Sequence, residues 1–71
     1  KIEFNIKEKG FVTIKVYNNL GKEITTLVNN NYSAGTYDLT FYGENYSSGL
    51  YFYSLFVNGM KIDTKKMLLI K

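Results

Sequence analysis

Residues 47–71 read SSGLYFYSLFVNGMKIDTKKMLLIK, and this stretch decides the fold. From Leu50 to Val57 nearly every position is aromatic or aliphatic, and Asn58-Gly59 follows at once. Asn and Gly tolerate the positive φ of a two-residue type I′ turn, whose twist matches the strands it joins. A hairpin is expected, its second strand running from Met60 towards the end of the chain. Apolar residues on both faces of 50–57 predict a central strand buried on both sides, because a half-exposed strand alternates.

Working outward, Ile2, Phe4 and Ile6 alternate with polar neighbours and predict a half-buried first strand. Lys7-Glu8-Lys9-Gly10 reads as a turn into a second strand, with Val12, Ile14 and Val16 on one face, expected to lie antiparallel to the first. After the turn Asn18-Asn19-Leu20-Gly21 comes a short third strand, with Ile24, Thr26 and Val28 opposite Thr25 and Leu27, whose register the pattern leaves open. Residues 29–35 (NNNYSAG) read as a surface loop or crossing connection. A fourth strand then places Tyr37, Leu39 and Phe41 opposite Thr36, Asp38, Thr40 and Tyr42, and residues 43–49 form a loop. No helical period persists. Short strands separated by turns predict an antiparallel sandwich or barrel, and the sandwich is preferred because residues 29–35 can carry the chain between sheets.

The chain of 71 residues makes one domain, of a size that buries only ~60% of its unfolded surface. There is no Cys and no His, which removes disulfide staples and the usual zinc and haem ligands, and no cofactor is expected. Seven Tyr and five Phe replace them, each able to bury ~150–250 Å². The basic residues are all Lys, scattered along the chain with only Lys65-Lys66 adjacent, so the net charge of +3 reads as solvated strand faces rather than a nucleic-acid surface. No run reaches membrane-spanning length, and there is neither an initiator Met nor a signal-peptide pattern. The chain is expected to be a piece of a longer protein.

Catalytic chemistry finds little support. The carboxylates are Glu3, Glu8, Glu23, Asp38, Glu44 and Asp63, of which Asp38 and Glu44 flank one strand, yet solvated carboxylates are the ordinary reading without another site residue. The six glycines sit singly at turns and form no phosphate-cradling loop. Asn31-Tyr32-Ser33 and Asn45-Tyr46-Ser47 match the glycosylation acceptor pattern, which matters only in a glycosylating compartment. Tyr17, Tyr32, Tyr42 and Tyr46 could stack on sugar rings, although tyrosine also belongs on any half-exposed pleated face. Residues 65–71 read as a closing strand and can also serve as a recognition tag.

Taken together, these residues resemble the C-terminal sorting domain of proteins exported by the type IX secretion system of Bacteroidetes-related bacteria. The resemblance is carried by Ile2-x-Phe4-x-Ile6, by Val12-x-Ile14-x-Val16-Tyr17-Asn18-x-Leu20-Gly21-Lys22-x-Ile24-x-x-Leu27, and by Ala34-Gly35-x-Tyr37-x-Leu39. It continues through Ser48-Gly49-Leu50-Tyr51-Phe52-Tyr53-x-Leu55 and ends in Lys66-Met67-x-Leu69-Ile70-Lys71. An Ig-like module of flagellar hook-capping proteins is similar in the central part. The chain departs from the pattern in having Phe41 and Tyr42 where a Trp and an acidic residue are common, no Pro in the first turn, and no Asn-Pro-rich lead-in, which would leave it one edge strand short.

The resemblance implies an Ig-like antiparallel β-sandwich of about seven short strands, spanning residues 1–71 at the C-terminus of a larger secreted protein, without catalytic activity. It implies as partners an N-terminal passenger, the type IX outer-membrane translocon and its sortase-like peptidase, with transit through the periplasm to the cell surface or medium of a Gram-negative bacterium. The translocon-recognition residues carried over are Gly35, Gly49, Lys66, Met67, Leu68, Leu69, Ile70 and Lys71. The alternative is an Ig-like accessory module, a spacer or a carbohydrate binder with Tyr42 and Tyr46 as contacts.

Overall fold

The computed structural model describes residues 2–70. Six strands follow in order: β1 (Ile2–Ile6), β2 (Gly10–Tyr17), β3 (Glu23–Tyr32), β4 (Gly35–Leu39), β5 (Gly49–Val57) and β6 (Met60–Leu69). They form a four-stranded sheet of order β3-β2-β5-β6 and a two-stranded sheet of β1 and β4, every pairing antiparallel. The all-β sandwich is as expected, with six strands among the described residues where about seven were expected.

Between the sheets, Phe4 and Ile6 from β1 meet Val12 and Ile14 from β2, Val28 from β3 and Leu55 from β5. Alternation does the sorting: Val12, Ile14 and Val16 are fully buried, while the residues between them face away from the small sheet. β1 pairs with β4 and not with β2, correcting the expected antiparallel pair of first and second strands. Residues 7–9 are not a hairpin turn; they carry the chain from the small sheet to the large one. Such a crossing lets Phe4 and Ile6 face Val12 and Ile14 across the core, which pairing in one sheet would forbid.

Residues 29–32 belong to β3, correcting the loop expected over 29–35; the crossing to the small sheet is made by Ser33 and Ala34 alone. Polar Asn29, Asn30 and Asn31 stay in a strand because β3 is an edge, where side chains remain in water while the backbone pairs with β2. Register shifts in the β2–β3 ladder leave Ile24 and Leu27 without opposite partners. The shift at Leu27 puts consecutive Leu27 and Val28 against the core, which no strict alternation can express. Phe41 and Tyr42 fall beyond β4, in the connection to β5.

The β5–β6 hairpin forms as expected, with φ of 51° at Asn58 and 84° at Gly59. Asn58 also locks the turn to β2: its backbone N–H donates to the Phe11 carbonyl at 2.8 Å, and its Oδ1 accepts the Phe11 N–H at 2.9 Å. β5 is central, but its two faces are not equally buried. Tyr51 and Leu55 lie inside, whereas Leu50 on the outer face is 40% exposed and Phe52 and Phe56 are half-buried, correcting the expectation of burial on both sides. The Nζ groups of Lys15 and Lys61 lie 5.5 and 6.0 Å from the Phe56 ring centroid, so lysine stems do on this face what a third layer would otherwise do.

Candidate functional site

One local device occurs twice. In Ser33-Ala34-Gly35-Thr36-Tyr37 and again in Ser47-Ser48-Gly49-Leu50-Tyr51, the Tyr hydroxyl donates to the Ser carbonyl four residues back at 2.7 Å. The Gly between them has φ of 151° at Gly35 and 153° at Gly49, a region that L-residues rarely adopt. A Cβ at Gly49 would meet nothing within 4 Å, and at Gly35 only the Tyr37 ring at 3.6 Å or more, so the demand for glycine is conformational. Each Tyr then joins an aromatic trio: Tyr37 with Phe4 and Tyr32, Tyr51 with Tyr46, which stacks on Phe41. Gly35 and Gly49 thus open β4 and β5. Asn18 acts similarly in the β2–β3 turn, its Oδ1 accepting the N–H of Leu20 at 2.9 Å and of Lys22 at 3.0 Å.

Of the recognition segment, Lys66 to Leu69 end β6, which closes the large sheet and pairs only with β5 among the described residues. The first seven residues of β6, from Met60 to Lys66, are all exposed. A two-stranded sheet cannot cover four strands, and the core it completes takes its residues from β1, β2, β3 and β5. Towards its end β6 becomes two-faced. Met67 stands opposite Tyr51 on the inner side and is half-buried, whereas Leu68 stands opposite Leu50 on the outer side and is 66% exposed. Leu69 is half-buried and Ile70 is 77% exposed. Lys71 lies outside the described residues.

Leu69 has a seat. A Cβ built on Gly43 would fall 2.5 Å from Leu69 Cδ1 and 2.8 Å from Cδ2, so the Leu69 side chain rests directly against the bare backbone of the β4–β5 connection. Composition alone could not show this, because Gly43 reads as one more turn glycine. The middle of β6 is tied to β5 by a hydroxyl pair, Ser54 Oγ to Thr64 Oγ1 at 2.8 Å, with Ser54 fully buried.

Other proposed chemistry does not gather. Asp38 lies in β4 opposite Glu3, and Glu44 lies in the following connection beside Leu69 and Ile70. Among the described residues no group of three or more acidic side chains could hold a metal ion. The sugar-stacking tyrosines do not form one platform: Tyr32 packs in the core trio, and Tyr46 is engaged by Phe41 and Tyr51, while Tyr42 is 73% exposed. No helix among the described residues is long and apolar enough to cross a membrane.

Against known families, the model described as the secretion system C-terminal sorting domain matches residues 1–71. Neither the curated proteins nor the solved structures contain a match to the chain.

Proposed function

The chain belongs to the family of secretion system C-terminal sorting domains, and from this premise we propose that β6 and the residues after it are what the type IX outer-membrane translocon reads. The family is a sorting signal for type IX cargo and not a catalytic one; it directs a larger passenger to the cell surface or the medium. The observation that carries the further step is the state of β6. It is an edge strand, exposed over most of its length and paired on one side only, so its backbone can accept another strand while its side chains offer apolar contacts.

In this reading the passenger precedes residue 1, crosses the inner membrane by its own signal, folds in the periplasm and is handed to the translocon through Lys66, Met67, Leu68, Leu69, Ile70 and Lys71. A sortase-like peptidase then cuts upstream of the domain and joins the passenger to the surface. Gly35 and Gly49 serve recognition through the fold, by setting the turns that open β4 and β5. The reading of the domain as an accessory carbohydrate binder through Tyr42 and Tyr46 gains nothing from the family match. A fluorescent reporter carrying a periplasmic signal peptide and this domain, expressed in a type IX-competent bacterium, tests the proposal. Deleting Met67 to Lys71 should leave the reporter in the periplasm, and normal export of that deletion would sink the proposal.

A further inference from the structure

The large apolar side chains left in water are sorted to the two ends of the strands. Phe11, Met60 and Ile62 lie at the end that carries the Asn58-Gly59 turn. The opposite end holds more. Leu50 and Leu68 stand across from each other there, both exposed, and Asn18 and Asn19 line one cleft with Leu50, which places their neighbour Leu20 at the same end with 87% of its surface in water. Tyr42, also exposed, precedes Gly43, on which Leu69 rests, and Leu69 pairs with Gly49 beside Leu50. Exposed apolar side chains gathered in this way mark a contact with a protein or a membrane. Their arrangement favours the membrane. They come from four separate segments, the β2–β3 turn, the β4–β5 connection, the start of β5 and the end of β6, and Asn18, Asn19, Asn45 and Ser47 line the cleft between them. A rigid protein partner is met by a continuous apolar centre, whereas separated tips with hydrated amides between them suit a fluid interface, where tips reach hydrocarbon and amides stay among headgroups. Charge gives the sign of the lipid. Lys22 lies in the turn beside Leu20, Lys66 stands two positions before Leu68 on the same outer face, Glu23 is paired with Lys15 at 3.5 Å, and Glu44 sits in the cleft with Leu69.

We propose that this end of the domain docks on an anionic lipid surface. Leu20, Leu50 and Leu68 enter the boundary of the acyl chains, the Tyr42 phenol lies at headgroup level, and Lys22 and Lys66 meet lipid phosphates. The molecule measures 34 × 20 × 16 Å, and its ten-residue strands span about 33 Å, so the Asn58-Gly59 turn is held far from the bilayer. The contact is with lipid alone and holds with or without a translocon.

The experiment sediments the chain, joined to a fluorescent reporter, with vesicles of phosphatidylcholine alone or mixed with phosphatidylglycerol. The wild type should bind the mixed vesicles, and high salt should weaken that binding by screening the lysines. Leu20→Ser with Leu68→Ser should lower the partition onto mixed vesicles about tenfold or more, the loss expected when two apolar anchors leave hydrocarbon. Both side chains already lie in water, so this variant should keep the wild-type unfolding midpoint. Met60→Ser with Ile62→Ser, equally exposed at the other end, should leave binding unchanged. Lys22→Glu with Lys66→Glu should lower binding to the mixed vesicles about tenfold and leave binding to phosphatidylcholine alone as it was. A wild type that ignores the mixed vesicles would overturn the proposal, and a protein partner would then have to explain the exposed end. Equal losses from the two ends, or full binding by the Leu20/Leu68 variant, would overturn it as well. The readout contains no translocon, so failure of the sorting reading would leave this result untouched.

Discussion

β2 and β6 lie in the same sheet, both touch β5, and each carries five large apolar residues. Yet Val12, Ile14 and Val16 of β2 are fully buried, while Met60, Ile62 and Leu68 of β6 are between 58% and 70% exposed. The difference comes from the other sheet. β1 and β4 are only two strands wide; they roof β2 and its near neighbours and leave β6 beyond the eave. The domain is built as a small core with a strand held out from it, and that strand carries the residues the sorting reading needs.

The comparison breaks most easily at β2. Ile14→Ala removes a fully buried side chain at the centre of the core and should cost about 2–5 kcal/mol. Chains of this size rarely hold more than about 3–5 kcal/mol in their core, so circular dichroism should show the variant largely unfolded at room temperature. A folded variant with a near-normal melt would mean that the core lies elsewhere.

Next come the two turns that open β4 and β5. Gly35→Ala and Gly49→Ala force an L-residue to φ near 150° with nothing else in the way, and each should lose about 1–3 kcal/mol in urea unfolding. Equal losses at the two positions would show that the repeated Ser-x-Gly-x-Tyr device is worth the same in both places. A loss confined to one would tie its value to the aromatic trio around it.

Smaller effects sharpen the contrast at β6. Ser54→Ala leaves Thr64 without its buried partner and should cost about 0.5–1.5 kcal/mol, read as a shifted unfolding midpoint with unchanged slope. Ile62→Ala, on the exposed part of the same strand, should stay within about 0.5 kcal/mol of wild type. If Ile62→Ala cost as much as a core substitution, β6 would have to be covered in solution. Residue-resolved amide exchange completes the series: amides of residues 60–66 should exchange well before those of Val12, Ile14 and Val16.

Much of this was legible in the order of residues because it depends on near neighbours. Asn58-Gly59 announces its own turn, since the φ values it needs exclude most other pairs. The alternation of Ile2, Phe4 and Ile6 and of Val12, Ile14 and Val16 names the core side chains of both strands. For the site, the end segment and its glycines stood out, but not which of its residues face inward. That phase is inherited from pairing with β5, and Leu69 then rests on Gly43, twenty-six positions upstream, a distance over which no local pattern reports.

The sequence by itself determined the class of structure, the hairpin of β5 and β6, and the faces of β1 and β2, because turn chemistry and strand periodicity act within a few residues. Tertiary structure alone decided which strands share a sheet, and so sent β1 to β4 and not to β2, drew Asn29, Asn30 and Asn31 into an edge strand, and admitted Leu27 and Val28 side by side to the core. It also left β6 uncovered. Each of these depends on how far one sheet reaches over another, a matter of the area to be buried between distant segments, and that area exists only once the chain has folded.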